Sequence, residues 1–64
     1  MYIVVYKDCV LHKSETRNEA LAWLKDYTKD LFFWCQTEHR GRTDIAFYDG
    51  DDTYYGYAII KIRH

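Results

Sequence analysis

A chain of 64 residues with 48% hydrophobic content and a formal net charge of −1 reads as one small globular domain, residues 1–64. A chain this short buries only about 60% of the surface that its unfolded form exposes, so its core is thin. The mixed, near-neutral charge argues against disorder, against a grip on duplex DNA or an anionic membrane, and against an acidic shell that mimics DNA.

No apolar run reaches the roughly 20 residues of a membrane span, and no basic-apolar-small leader opens the chain. The expected location is therefore the cytoplasm. Two cysteines, Cys9 and Cys35, are too few for a secreted disulfide scaffold and read as buried, reduced thiols. Aromatic residues are the anomaly, at 19% of the chain with seven Tyr. Tyr and Trp suit interfaces and ligand platforms as well as cores.

The first stretch, MYIVVY (1–6), is β-branched and aromatic and predicts a strand. Lys7–Asp8 separates it from CVLHK (9–13), a second short strand joined by a tight hairpin. Thr16 and Glu19 then have the spacing of a capping box, which starts a helix at Arg17. The apolar pattern carries that helix to Gln36, and Gly41 ends the connection. TDIAFYD (43–49) is a third strand, DGDD (49–52) a turn with Asp-Gly at its centre, and TYYGYAIIKIRH (53–64) a fourth strand. The order β-β-α-β-β predicts an α+β fold, a small antiparallel sheet with one helix packed on one face.

On a helix over 17–36, Ala20, Leu21, Leu24, Thr28, Leu31, Phe32 and Cys35 form the core stripe. Trp23, Tyr27 and Trp34 fall on a second stripe, and Phe33 falls among charged residues. Either these rings wrap the sheet edge or they contact another chain. Strand alternation assigns Ile3, Val5, Ile45, Phe47, Ala58, Ile60 and Ile62 to the covered face. The open face then holds Tyr2, Val4, Tyr6, Ala46, Tyr48, Tyr55, Tyr57 and Ile59, a Tyr-rich surface of the kind that marks a partner or ligand.

No catalytic constellation emerges, and the chain reads as a non-enzyme. Cys9-x-x-His12 and Cys35-x-x-x-His39 overlap zinc-ligand spacings. Residues three apart on a strand point to opposite faces, however, and Cys35 belongs to the core stripe, so no metal or cofactor is expected. The three glycines are isolated and make no phosphate loop. His39, Arg40 and Arg42 form a local basic cluster beside the aromatic run, suited to phosphates or to the negative end of the helix. Lys61, Arg63 and His64 form a second basic group.

A short, aromatic-rich single domain without a catalytic motif, opening MYIVVYKD, resembles in size and style the small phage-encoded accessory proteins that counter host defences. No shared motif carries the resemblance, so it transfers no residue role. It implies a non-enzymatic homo-oligomeric sponge that sequesters a nucleotide-derived immune signal near a subunit interface. The alternative is an inhibitor that docks on a host nuclease, polymerase or defence effector through its aromatic surface. The expected ligand- or partner-binding residues are Trp34, Phe33, Trp23, Tyr27, Arg40, Arg42, His39, Tyr6, Tyr55 and Tyr57. The expected partners are a second copy, with a nucleotide-derived ligand or a host protein. A membrane is not expected. Single-stranded nucleic acid is disfavoured by the near-neutral charge and by Asp44, Asp49, Asp51 and Asp52.

Overall fold

A computed structural model describes residues 1–63, in the order β1 (Tyr2–Tyr6), β2 (Cys9–Ser14), α1 (Arg17–Tyr27), β3 (Phe32–His39), β4 (Arg42–Tyr48) and β5 (Tyr54–Lys61). The strands form one antiparallel sheet, β2-β1-β5-β4-β3, with α1 against one face. The expected class, α+β with one helix on an antiparallel sheet, is the fold adopted. One strand is added between the helix and TDIAFYD. His64 lies outside the described residues.

Local chemistry sets most of the boundaries. The Lys7–Asp8 turn holds Lys7 at φ 53°, and the Arg40–Gly41 turn holds Gly41 at φ 70°, where glycine carries no Cβ penalty. Thr16 caps α1 by accepting the Glu19 backbone N–H at 3.2 Å. Its hydroxyl donates to the Glu19 carboxylate at 3.0 Å, so Glu19 closes on the Thr16 side chain rather than on its backbone.

The helix ends nine residues before the expected Gln36 (36 − 27), at Tyr27. Thr28 is buried, and both its N–H and its hydroxyl donate to the Leu24 carbonyl, at 2.9 and 2.7 Å. Beyond it, Phe32, Phe33, Trp34 and Thr37 are aromatic or β-branched, and such side chains lose rotamer freedom in a helix and gain packing on a pleated surface. The run therefore pairs with β4 as β3. Phe32, Phe33, Trp34 and Cys35 are strand residues, and Phe32 and Cys35 are exposed rather than part of a helical core stripe.

The sheet faces also differ from the expected assignment. Residues directly opposite in an antiparallel pair share a face. Val4 lies opposite Ile59, and Ile45 opposite Tyr57. The core is built from Val4, Ile45, Phe47, Tyr57 and Ile59 against Ala20 and Leu24 of the helix. Ile45 and Phe47 are covered and Ala46 and Tyr48 lie on the other face, as expected. On β1 and β5 the faces are exchanged: Tyr2, Val4, Tyr6, Tyr55, Tyr57 and Ile59 pack under or beside the helix, while Ile3, Val5, Ala58 and Ile60 lie on the open side. Aliphatic residues occupy both registers of these strands, so alternation alone does not choose between them.

The β4–β5 loop is organised by Asp49. Its carboxylate accepts the N–H groups of Asp51 and Thr53 at 2.9 and 3.0 Å and the Tyr55 hydroxyl at 2.9 Å. The bond from the Thr53 backbone, foremost among these, holds the Asp49 carboxyl below the ordinary aspartate range. The same hydrogen bond to Asp49 pushes the Tyr55 phenol up. The left-handed residue is Asp52, at φ 61°, rather than Gly50.

Two outcomes follow from the packing and the loop. Leu24, 1% exposed, is the largest side chain that the helix buries, and Leu24→Ala is expected to cost about 3 kcal/mol in chemical denaturation. Asp49 has a depressed folded pKa, so its contribution is full above the unfolded value and is lost as pH falls through the folded one. Asp49→Ala is therefore expected to melt lower than the parent at neutral pH, with the gap narrowing below about pH 4.

Candidate ligand trough and aromatic edge

The open face is arranged in rows across the strands. Ile3, Ile60, Arg42 and His39 form one row, and Val5, Ala58, Asp44 and Thr37 the next. Gly56, Ala46 and Cys35 form a third, and Tyr54, Tyr48 and Phe32 a fourth. The middle rows supply small side chains at Ala58, Gly56 and Ala46, and the outer rows supply long ones. The result is a trough of about 680 Å³ along the open face, continuing to the Lys7–Asp8 turn.

Gly56 makes the aromatic wall possible. A Cβ there would come within 2.8 Å of the Tyr54 hydroxyl oxygen, so the Tyr54 ring lies over the glycine. Trp34 meets Tyr54 edge to face at 5.8 Å between ring centroids, and Phe32 stacks on Tyr48 at 5.3 Å. Such pairs fix ring orientation beyond simple area burial. Trp34 is the extra residue of a β-bulge, where β3 passes from Phe33 to Cys35 while β4 advances only from Phe47 to Ala46.

The polar groups of the trough are few. Asp44 is half-buried and holds the Arg42 guanidinium, with Nε at 2.9 and 3.1 Å from its two oxygens and Nη2 at 2.9 Å. Thr37 lies opposite Asp44 on β3. Lys7 and Asp8 stand together at the end of the trough, with the Lys7 ammonium 5.5 Å from the centre of the Tyr6 ring. Arg42 thus has a carboxylate partner already, and Lys7 is the cation at the opposite end.

The residues expected to bind separate into three places. Trp34, Arg42 and His39 are on the open side, with Arg40 in the adjoining turn. Phe33 lies on the helix side of β3, edge to face with Phe47 at 6.2 Å, in line with Tyr57, which is buried, and with the half-buried Tyr6 and Tyr55. Burial is what pushes the Tyr57 phenol up. These three Tyr line the core rather than an open surface. Trp23 and Tyr27 stack on each other at 4.8 Å, and Trp23 stacks on His12 at 4.5 Å with the rings nearly parallel. The Trp23 ring is thereby partnered within its own chain, flat over the sheet edge.

Cys9 and Cys35 are exposed and stand on opposite edge strands. Among the described residues no group of three or more His, Cys, Asp or Glu side chains is placed to hold a metal ion. No helix among them is long and apolar enough to cross a membrane. Sequence reasoning missed Tyr54, Gly56 and Asp44 as trough residues. The available signal was Gly56 and Ala58 at strand spacing with Ala46, a run of small residues on one face.

No family model, curated protein or solved structure matches the chain.

Beyond Trp34, the exposed rings include Phe32, Phe33 and Tyr54, with 55–59% of their surface accessible, and Trp34 itself reaches 61%. Surface residues of this kind contribute little to folding. Trp34→Ala is expected to leave the denaturation midpoint within about 0.5 kcal/mol of the parent, in contrast to Leu24→Ala, while disturbing binding or assembly.

Proposed function

We propose that the chain is a non-enzymatic binding protein, of the kind phages use against host defences, that captures a flat nucleotide-derived signal in the open-face trough. The observation that carries this reading is the combination of a small-residue floor with an aromatic wall. Ala46 and Ala58 leave room for a planar ring beside the Tyr54 ring, which covers Gly56 and is met edge to face by Trp34. Aromatic rings accept bases of any sequence because every base has a π-face. Asp44 and Thr37 offer acceptors for the N–H edge of a base, and hydrogen bonds to a carboxylate are among the stronger ones. Lys7 offers a cation for a phosphate at the far end.

A second reading is favoured by the four-ring patch of Phe32, Tyr48, Tyr54 and Trp34 beside the trough. An inhibitor docking on a host protein would use such rings as its hot spot.

Calorimetric titration with cyclic nucleotides and ADP-ribose derivatives tests the first reading. The expected result is saturable binding to the parent, weakened at least tenfold by Asp44→Ala, with protection of the Cys35 thiol from alkylation when ligand is present. No binding across the panel removes it, and a stoichiometric protein partner recovered with the Trp34-dependent patch favours the second.

A further inference from the structure

We infer that β3 pairs edge to edge with β3 of a second copy, about a twofold axis at Gln36, to give a continuous ten-stranded sheet. Every one of the eight residues of β3 is exposed, and its backbone pairs with β4 alone, with Arg17 of the helix reaching it through Glu38. The outer side of an edge strand presents unpaired backbone groups, which natural proteins guard with charge, bulges or a covering element. The other edge, β2, is guarded. The helix packs against it, Lys13 is exposed on it, and its own extra residue at the bulge, Leu11, turns into the core. At the β3 bulge the extra residue, Trp34, stays outside.

The strand is suited to its own image. With Trp34 set aside as the bulge residue, seven residues of β3 remain, and Gln36 is their midpoint. A twofold antiparallel pair then sets Gln36 against Gln36 of the second copy, and Cys35 against Thr37. It also sets Phe33 against Glu38, and Phe32 against His39. Opposed residues must share a face. Phe33, Gln36 and Glu38 all lie on the helix side, and Phe32, Cys35, Thr37 and His39 all on the open side, so every pair satisfies that condition over the full strand. Glu38 does not meet its own copy, so no like charges oppose.

The area comes from the strand itself. Phe32, Phe33 and Trp34 are 55–61% exposed, which at roughly 150–250 Å² per ring amounts to up to about 350 Å². The backbone edge of an eight-residue strand brings this toward the roughly 800 Å² per partner of a stable interface. Because only one edge of each chain is free, the pairing closes at two copies rather than running on into a fibre. The axis stands perpendicular to the sheet, so both troughs face the same side.

The experiment uses the full chain and does not depend on any ligand. Light scattering after size exclusion is expected to give twice the 7.8 kDa chain mass for the parent. Gln36→Lys, which places two like charges at the axis, is expected to halve that mass while keeping the secondary structure of the parent by circular dichroism, and to melt at a temperature that no longer depends on protein concentration. In a Cys9→Ser, Cys35→Ser background, Gln36→Cys is expected to form an interchain disulfide on mild oxidation. Opposed Cα atoms lie about 4.5–5.5 Å apart in an antiparallel pair, within disulfide reach. Asp26→Cys, on the exposed helix surface, serves as the control and is expected to remain unlinked. A monomeric parent, a Gln36→Lys variant that keeps the dimer mass, or equal cross-linking at both positions overturns the inference. So does a monomer that gains mass only on adding a different protein. The calorimetric titration keeps the two proposals apart: a monomer that binds a trough ligand overturns this inference alone, and a dimer that binds none overturns the trough reading alone.

Discussion

The width of one helix governs this molecule. A helix with its side chains is about 10–12 Å across, whereas five strands spaced about 4.8 Å apart span roughly 19 Å. The single helix lies over β2, β1 and β5, where Ala20 and Leu24 meet Val4, Tyr57 and Ile59. It leaves the residues of β3 exposed and the far side of the sheet open. The large Tyr side chains compensate on the covered side. Tyr6, Tyr55 and Tyr57 reach beyond what aliphatic residues would fill, and Tyr57 meets Tyr27 and Phe47 edge to face at 6.2 and 5.7 Å. The helix reaches the uncovered half through Arg17, whose guanidinium pairs with Glu38 on β3 and donates to the Thr43 hydroxyl on β4 at 3.3 Å.

That geometry explains what could be read in advance and what could not. The hairpin at Lys7–Asp8, the helix start at Thr16 and the turn after Tyr48 are local events, set by residues within a few positions of one another. The helix end was not legible from periodicity. Leu24, Thr28 and Leu31 continue a helical spacing, and Phe32 and Cys35 extend it, yet tertiary pairing with β4 offered this aromatic run a better use. Losing the strand β3 also removed the partner that defines the open face. The Trp34 ring is surplus to the core because it sits at a bulge on an edge strand, not because it points off a helix.

The trough was hidden by a choice of parity. The stretch Tyr54–Lys61 is apolar in both registers, so the period-two pattern carries no preference. The residues that decide it are the small ones. Gly56 and Ala58 would waste volume beneath the helix, where Tyr57 and Ile59 fill space. On the other face their smallness creates the floor, and Gly56 alone admits the Tyr54 ring above it. Reading a strand for where its smallest side chains align, rather than for where its greasiest ones do, is the physical criterion that separates the two faces.

The charge of the trough narrows what it suits. A surface meant for a polyanion would be lined with unpaired cations, since phosphate contacts dominate such affinity. Here Arg42 is committed to Asp44, and the half-buried carboxylate sits among the small side chains of the floor. A long anionic strand laid along the trough would find its guanidinium already neutralised and two carboxylates, Asp44 and Asp8, in the lining. A compact ligand needs only one cation. It can present N–H donors to Asp44 and set its phosphate against the Lys7 ammonium. The near-neutral composition of the whole chain and the placement of this one aspartate therefore argue the same way: toward a small, mixed-polarity molecule with a flat ring, and away from a nucleic acid strand.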